Sequence, residues 1–380
     1  MVENSRYLPI LFMLFPFYAQ AQFVHPGLLD SKEELLFMKE KVKNNEEPWK
    51  TGYEQIPNYL LHKPKPIEVY KDGSGRSSAG DVYNRQLNRD GEAAYASGVH
   101  WIVTEDRAHA EKAVEILKAW ADTIKEIDDN GDGSLSTSYN WPRMIYAAEI
   151  LKHTYDGWSQ ANRSQFENVL LQLVWPATEA AMHKGESGAK IGGSLHNNWT
   201  SMAIMCRMAI AIHTDDQEKY QNLLPQVQSQ IRHYVYPSGQ CVETARDLWH
   251  SQMGMAPLVA ACEMAWHQGD DLYSTADNRL LTGIEWHIPF VMKENRGWPT
   301  PEELDSPYYR WDEPDNAGEP WYFYEMVYNH YHSRLGLVAP NTQRILTESV
   351  TDDNKFPVRP EKLSRTGGWG TATHTSKDQQ

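Results

Sequence analysis

The stretch GQCVETARDLWH, residues 239–250, carries ionisable side chains at three- and four-residue intervals: Glu243, Arg246, Asp247 and His250. On a helix with about 100° per residue and Glu243 at zero, Arg246 falls at about 300°, Asp247 at about 40° and His250 at about 340°. The four groups then share one face, spanning about 100°, directly ahead of the apolar run MGMAPLVAACEMAW. That face is either a solvated surface or the wall of a polar cavity. As chemistry, His250 can accept a proton near neutral pH, and Arg246 offers a planar fork for a carboxylate. Glu243 can hold either of them. The plainer alternatives are a core histidine bonded to a carbonyl or to Glu243 or Asp247, and an ion pair of Arg246 with either carboxylate. Gln240 stands just before the segment and can donate to the same anionic group.

These residues need elements to hold them. Runs such as LLDSKEELLFMKEKVKNN, DRAHAEKAVEILKAWADTIKEI, PRMIYAAEILKHTY, NNWTSMAIMCRMAIAIHT and QEKYQNLLPQVQSQIRHYV have apolar residues at helical spacing, the first with Asp30 or Ser31 as its N-cap. TARDLWHSQMGMAPLVAACEMAWHQ reads as one continuous helix, with TADNRLLTGIEWHIPFVMK and YFYEMVYNHYHSRLG following. No strand pattern of useful length precedes residue 350, and no fixed-length repeat occurs. Paired helices of varied length predict an all-α chain. The arrangement expected is an α/α toroid or incomplete barrel of about six to seven helical hairpins, with a cleft at the ends of its inner helices. The Gly-, Thr- and Pro-rich segment after Pro340 is expected to end in a short irregular or hairpin tail.

Residues 1–21 have one early cation, Arg6, an apolar core of about a dozen residues and a small-x-small ending, Ala19-Gln20-Ala21. They read as a secretory signal, leaving 22–380 as a single domain that is secreted or periplasmic, with a buried N-terminal helix as the alternative. No later run is long enough for a membrane span. The net charge of −15 argues against nucleic acid as a partner. It does not exclude an acidic sugar, because charges beyond about 8–10 Å are screened at physiological salt. Fourteen Trp and 20 Tyr suit either sugar stacking or a large core. The three cysteines, Cys206, Cys241 and Cys262, are expected as buried free thiols. Asp128-x-Asn130-x-Asp132-Gly133 begins like a calcium loop, but Tyr139 stands where a bidentate Glu is needed. A plain turn is the reading taken, and neither a metal nor an organic cofactor is expected.

Several segments together resemble the alginate lyase domain of polysaccharide lyases, and in motif the related glucuronan lyases. They are HPGLLDSKEELLFMKEKV, DGEAAYASGVHWIVTEDRAHAEKAVEILKAWADTI, HNNWTSMAIM, GQCVETARDLWHSQMGMAPL, EMAWHQGDDLYSTADNRLLTGIEW and YEMVYNHYHSRLGL, in that order, covering most of residues 25–340. The resemblance implies a toroid that cleaves a 1,4-linked polyuronate, an acidic polysaccharide, by β-elimination; a monomer is expected. That chemistry requires a partner for the C6 carboxylate, a base for the C5 proton and an acid for the leaving O4.

On this resemblance Asn198 and Arg246 face the carboxylate, Glu243 holds His250 or Arg246 in place or shares a proton with the carboxylate, and Asn197 and Gln240 assist. Capping explains the paired Asn equally well. Alginate lyases often place His after the paired Asn; here Trp199 stands there, to stack on a sugar or pack in the core. His250 falls near the family's catalytic Tyr when the helices are laid together by their Pro-Leu-Val ends, which makes it the candidate base. Tyr309, then Tyr308, are the candidate acids, beside Arg310. Tyr328 is a contact or a core residue. Tyr139, Trp141 and Arg143, in STSYNWPRM, are candidate sugar contacts at a loop-to-helix junction. Two other classes stay open: a toroid glycoside hydrolase with paired carboxylates, and a glycan-binding relative without the base.

Overall fold

The computed structural model describes residues 22–70, 78–127, 133–184, 196–292, 294, 297–305, 321, 323–348 and 368–376. The expected signal segment, the Asp128–Asp132 turn, Tyr308 and Tyr309 lie outside them.

Helices dominate. They are α1 (Lys32–Lys43), α2 (Trp49–Glu54), α3 (Ser78–Thr104), α4 (Arg107–Thr123), α5 (Gly133–Thr154) and α6 (Gln160–Val169). A π-helical turn, Leu170–Val174, carries α6 on into α7 (Trp175–Lys184). Then come α8 (Asn198–His213), α9 (Gln217–Tyr234), α10 (Leu248–His267) and α11 (Thr275–Val291). The last are α12 (Tyr324–Tyr328), extended by a π-turn Asn329–Arg334, α13 (Pro340–Glu348) and the single turn α14 (Gly370–Thr373). The only strands among the described residues are the parallel pair β1 (Val69–Tyr70) and β2 (Glu126–Ile127).

Side-chain caps set six of the starts. Ser31 forms a capping box with Glu34, and Asp106, Ser159, Asn197, Asp216 and Asp247 accept from the first-turn amides of α4, α6, α8, α9 and α10. An inner series of helices packs in succession, α3 on α5, α5 on α8, α8 on α10 and α10 on α12. The outer partners α4, α6–α7, α9, α11 and α13 alternate with them along the chain, which is the expected toroid of helical hairpins. Every residue of α8 is buried, and α10 is buried along its whole middle. Cys206, Cys241 and Cys262 are buried and free.

Both ends of the described chain fill the gap between α12 and α3. Of the C-terminal segment, residues 368–376 are described; they form the α14 turn and pack on α2, α1 and α12. Trp49 Nε1 donates to the Thr375 carbonyl at 3.1 Å, and Thr371 Oγ1 donates to Glu325 at 3.1 Å. Beneath this seam lies an ionic cluster. Arg334 reaches Glu263 at 2.6 Å and Glu34 at 3.1 Å, and Tyr273 donates to Glu263 at 2.6 Å. His267 donates from Nδ1 to the Leu28 carbonyl at 2.7 Å, and its Nε2 lies 3.0 Å from a Glu34 oxygen as an ion pair. Burial opposes its charge, but the two carboxylates outweigh burial and hold it protonated. Burial likewise opposes ionisation of Glu34, yet His267 brings it down to about 2.

A second junction ties the N-terminal segment to α5 and α8. His25 places Nδ1 on Glu149 at 2.6 Å and Nε2 on Asp215 at 2.9 Å, and His213 Nδ1 meets Glu149 at 2.8 Å. Burial opposes both charges, but Glu149 and Asp215 raise the His25 value, while His213 and His25 hold Glu149 well below the carboxylate range.

Two outcomes are expected. Glu263→Gln leaves Arg334 and His267 short of a buried counter-charge and costs about 3–5 kcal/mol of unfolding free energy, read from the denaturation midpoint at pH 7. For Glu149→Gln the loss depends on pH. The His25–Glu149 pair is complete above the ordinary Glu value of 4.5 and below the ordinary His value of 6.5. It fades as pH rises through the raised His25 value or falls through the lowered Glu149 value. The melting-temperature gap to wild type is therefore widest between pH 4.5 and 6.5 and narrows on either side of that window.

Candidate active site

The helix expected to run unbroken through TARDLWHSQMGM is interrupted. Val242–Ala245 is a 3-10 turn, Arg246 leaves it at φ −102°, and Asp247 is extended at φ −170°, ψ 169° before α10 begins at Leu248. The reason is capping: the Asp247 carboxylate competes for the amides that a continuous helix would have used. The helical-wheel angles therefore do not apply across residues 243–250. The four groups meet through direct contacts instead.

The contacts form an unbroken chain. Asn198, the first residue of α8, donates its backbone N–H to Glu243 Oε1 at 3.2 Å. Glu243 Oε2 lies 3.9 Å from Arg246 Nη1, and Arg246 Nε lies 3.9 Å from Asp247 Oδ2. Asp247 accepts the backbone N–H of His250 at 2.7 Å and the His250 Nδ1 at 2.8 and 2.6 Å. Burial opposes ionisation of Asp247, but the hydrogen bonds and charge of His250, with Arg246 behind them, hold its carboxyl below the usual range. Each carboxylate thus sits on the amide end of a different buried helix, Glu243 on α8 and Asp247 on α10, where the helix dipole favours negative charge.

The paired asparagines divide the work. Asn197 is the cap of α8, accepting from the Trp199 and Thr200 amides at 3.1 and 3.3 Å. Its carbonyl is held by buried Gln230 at 3.0 Å, and Gln230 also meets His196 Nδ1 at 2.8 Å. Asn198 points its side-chain N–H at the Met253 thioether, a weak acceptor at 3.3 Å, and its buried Oδ1 has no partner among the described residues. Its amide is therefore largely uncommitted.

Several nominated residues are placed elsewhere. Trp199 is 1 % exposed and packs with Ala181 and Ala203, so it is a core residue and not a free stacking surface. Tyr139, Trp141 and Arg143 do not lie at a loop-to-helix junction: α5 starts at Gly133 and carries Pro142 within it. Trp141 is wholly buried between Trp120 and Phe166, and Arg143 is wholly buried with Glu92 at 3.9 Å. Tyr139 is half-buried against the core. Gln240 spends both ends of its amide on the Glu303–Asp305 loop, at 2.7 and 3.0 Å. Tyr328 is buried in α12 and packs on His332 with ring centroids 4.6 Å apart.

Two groups of metal-ligand type occur among the described residues, His25–Glu149–His153 and Glu34–Glu263–His267, both outside the Asn198–His250 chain. In each, carboxylates are already engaged by histidine, and in the second by Arg334 as well.

The alginate lyase family model matches residues 37–298. The chain belongs to the alginate lyase family. No curated protein matches it. Among solved structures, alginate lyase A1-III from Sphingomonas species A1 is 15 % identical, with 94 % of this chain and 98 % of that chain covered at a TM-score of 0.64. A histidine-to-alanine variant of A1-III complexed with a tetrasaccharide gives 15 % identity, the same coverage and a TM-score of 0.65. An alginate lyase from Bacteroides ovatus is 16 % identical, covering 87 % of this chain and all of its own at a TM-score of 0.55. These likenesses show the fold, and family membership makes this alginate lyase relative a polysaccharide lyase.

Sequence reasoning missed two supports of the site. The sequence offers Asp247 as a charge partner of His250 or Arg246 on a shared helical face, yet an Asp three residues before a His at a helix start is a capping signal. Tyr234 donates to the His250 and Ser251 carbonyls, each at 3.2 Å. It can do so because Gly254 leaves room; a Cβ there would stand 2.0 Å from the Tyr234 hydroxyl. Gly254→Ala is expected to displace that ring, cost about 1–3 kcal/mol by overpacking and lower activity through the shifted His250 turn. Thermal melts and initial rates on the same preparation check it.

Proposed function

We propose that the protein is an exported lyase that cleaves a β-1,4-linked polyuronate, glucuronan or mannuronate-rich alginate, by β-elimination. The observation that supports this most directly is the contact chain Asn198–Glu243–Arg246–Asp247–His250, which joins an uncommitted amide, a guanidinium and a partly exposed imidazole. In this reading Arg246 and the Asn198 amide bind the C6 carboxylate and stabilise the charge that develops on it. Glu243 holds both in place. His250 takes the C5 proton, the C4–C5 double bond forms as the C4–O4 bond breaks, and the leaving O4 receives a proton from the acid. Tyr309, then Tyr308, remain the proposed acids. Trp199 fills the position where alginate lyases often carry His and is buried in the core, which favours His250 as the base.

The test is incubation with polyglucuronate and with alginate while following absorbance of the unsaturated uronate. Rising absorbance is expected on at least one of them. New reducing ends without it would point to hydrolysis, and binding without either would point to a glycan-binding relative. His250→Ala is expected to lose about 100-fold or more in kcat, the usual contribution of a general base; full retention of activity would remove His250 from the role.

A further inference from the structure

The Asp247 carboxylate does more than a cap requires. Capping α10 takes one acceptor for the His250 backbone N–H, at 2.7 Å, and Asn or Ser can supply it. Asp247 also places both oxygens on the His250 ring, Oδ1 at 2.8 Å and Oδ2 at 2.6 Å from Nδ1. The extended backbone of Asp247, φ −170°, is what swings the carboxylate back over the first turn. Tyr234 fixes the same turn from the other side through the His250 carbonyl. The carboxylate is 6 % exposed and stays ionised, whereas the His250 side chain is 23 % exposed. Nε2 has no protein partner among the described residues.

We propose that Asp247 is a positioning residue that fixes His250 in the tautomer with its proton on Nδ1, leaving Nε2 as the nitrogen that receives the substrate proton. The inference rests on the reading of His250 as the base. An ionised carboxylate accepts only, so the facing ring nitrogen must donate, and neutral imidazole has one N–H. The lone pair is thereby assigned to Nε2. When the C5 proton arrives there, Nδ1–H stays in place and the imidazolium charge is balanced by Asp247. After the product leaves, Nε2 returns its proton to solvent. Oxygen O4 takes its own proton from the separate acid, so each transferred proton has a donor and an acceptor.

Asp247→Asn isolates this role. Asn caps a helix as well as Asp. Its amide oxygen keeps the backbone contact while its NH2 turns to Nδ1, which favours the opposite tautomer and places N–H on the reacting nitrogen. The expected result is a drop in kcat of about 100- to 10,000-fold, as for a tautomer-fixing carboxylate in other enzymes, with KM changed less than about threefold and the melting temperature held. The second readout is 15N NMR of the histidine side chains above their titration, with the His250 signals assigned by their absence in His250→Ala. Wild type should show Nδ1–H and a lone pair on Nε2, and Asp247→Asn should lose that preference.

A wild-type His250 with its proton on Nε2 overturns the proposal, whatever the variant does. An Asp247→Asn enzyme with wild-type kcat overturns it as well, provided that His250→Ala is inactive. If His250→Ala is itself fully active, the base assignment falls and this inference falls with it; the two failures are distinct.

Discussion

A helix surrounded by protein on every side can carry a charge along its length only if that charge is paired, as Arg207 of α8 is with Glu179 and Glu263 of α10 with Arg334. α8 is in that position, buried from Asn198 to His213, and the middle of α10 is too. Ionised groups in such an interior must be paired or moved to the ends. The ends of a buried helix bring their own demand, since first-turn amides lack intrahelical partners. In this fold the two needs meet. Glu243 answers the amide of Asn198, Asp247 answers that of His250, and Arg246 stands between the two carboxylates. The polar chemistry is concentrated where the inner helices start because the packing allows it there.

This arrangement also bears on how an acidic protein handles an acidic polymer. The chain carries a net charge of −15. Both carboxylates nearest Arg246 are engaged by helix amides or by His250. Much of their charge is thus spent inside the protein, and at distances beyond the screening length the remaining surface charge matters little.

The all-α toroid, its helical pairs and several of its helix starts were legible in sequence, because caps and apolar spacing are local signals. The Ser31–Glu34 box and the Asn197 cap are examples. Legibility failed where a local signal had two meanings. Pro142 read as a helix boundary, yet α5 absorbs it and buries Trp141 and Arg143. Asp247 read as one more residue on a helical face, yet its capping preference broke the helix there. The constellation Glu243, Arg246, Asp247 and His250 was found by type and spacing, but a wrong geometry was attached to it. The commitment of Gln240 to the Glu303–Asp305 loop and the clearance that Gly254 gives Tyr234 depend on neighbours distant in sequence, so no local pattern could announce them.

The seam between α12 and α3 has a consequence for how the molecule is made. Its ties join residues that are far apart in the chain: Glu34 to Arg334, 300 positions on, and Trp49 to Thr375, 326 positions on. Pairings of that span are slow to find, because the intervening loop must close before any contact rewards it. During synthesis, the α1–α2 region waits for partners that emerge some 300 residues after it. Until then Glu34 and His267 can meet each other but not Arg334, so the buried charge is only partly balanced. The inner helices can assemble in order as they appear, whereas the ring itself is completed in a single late event.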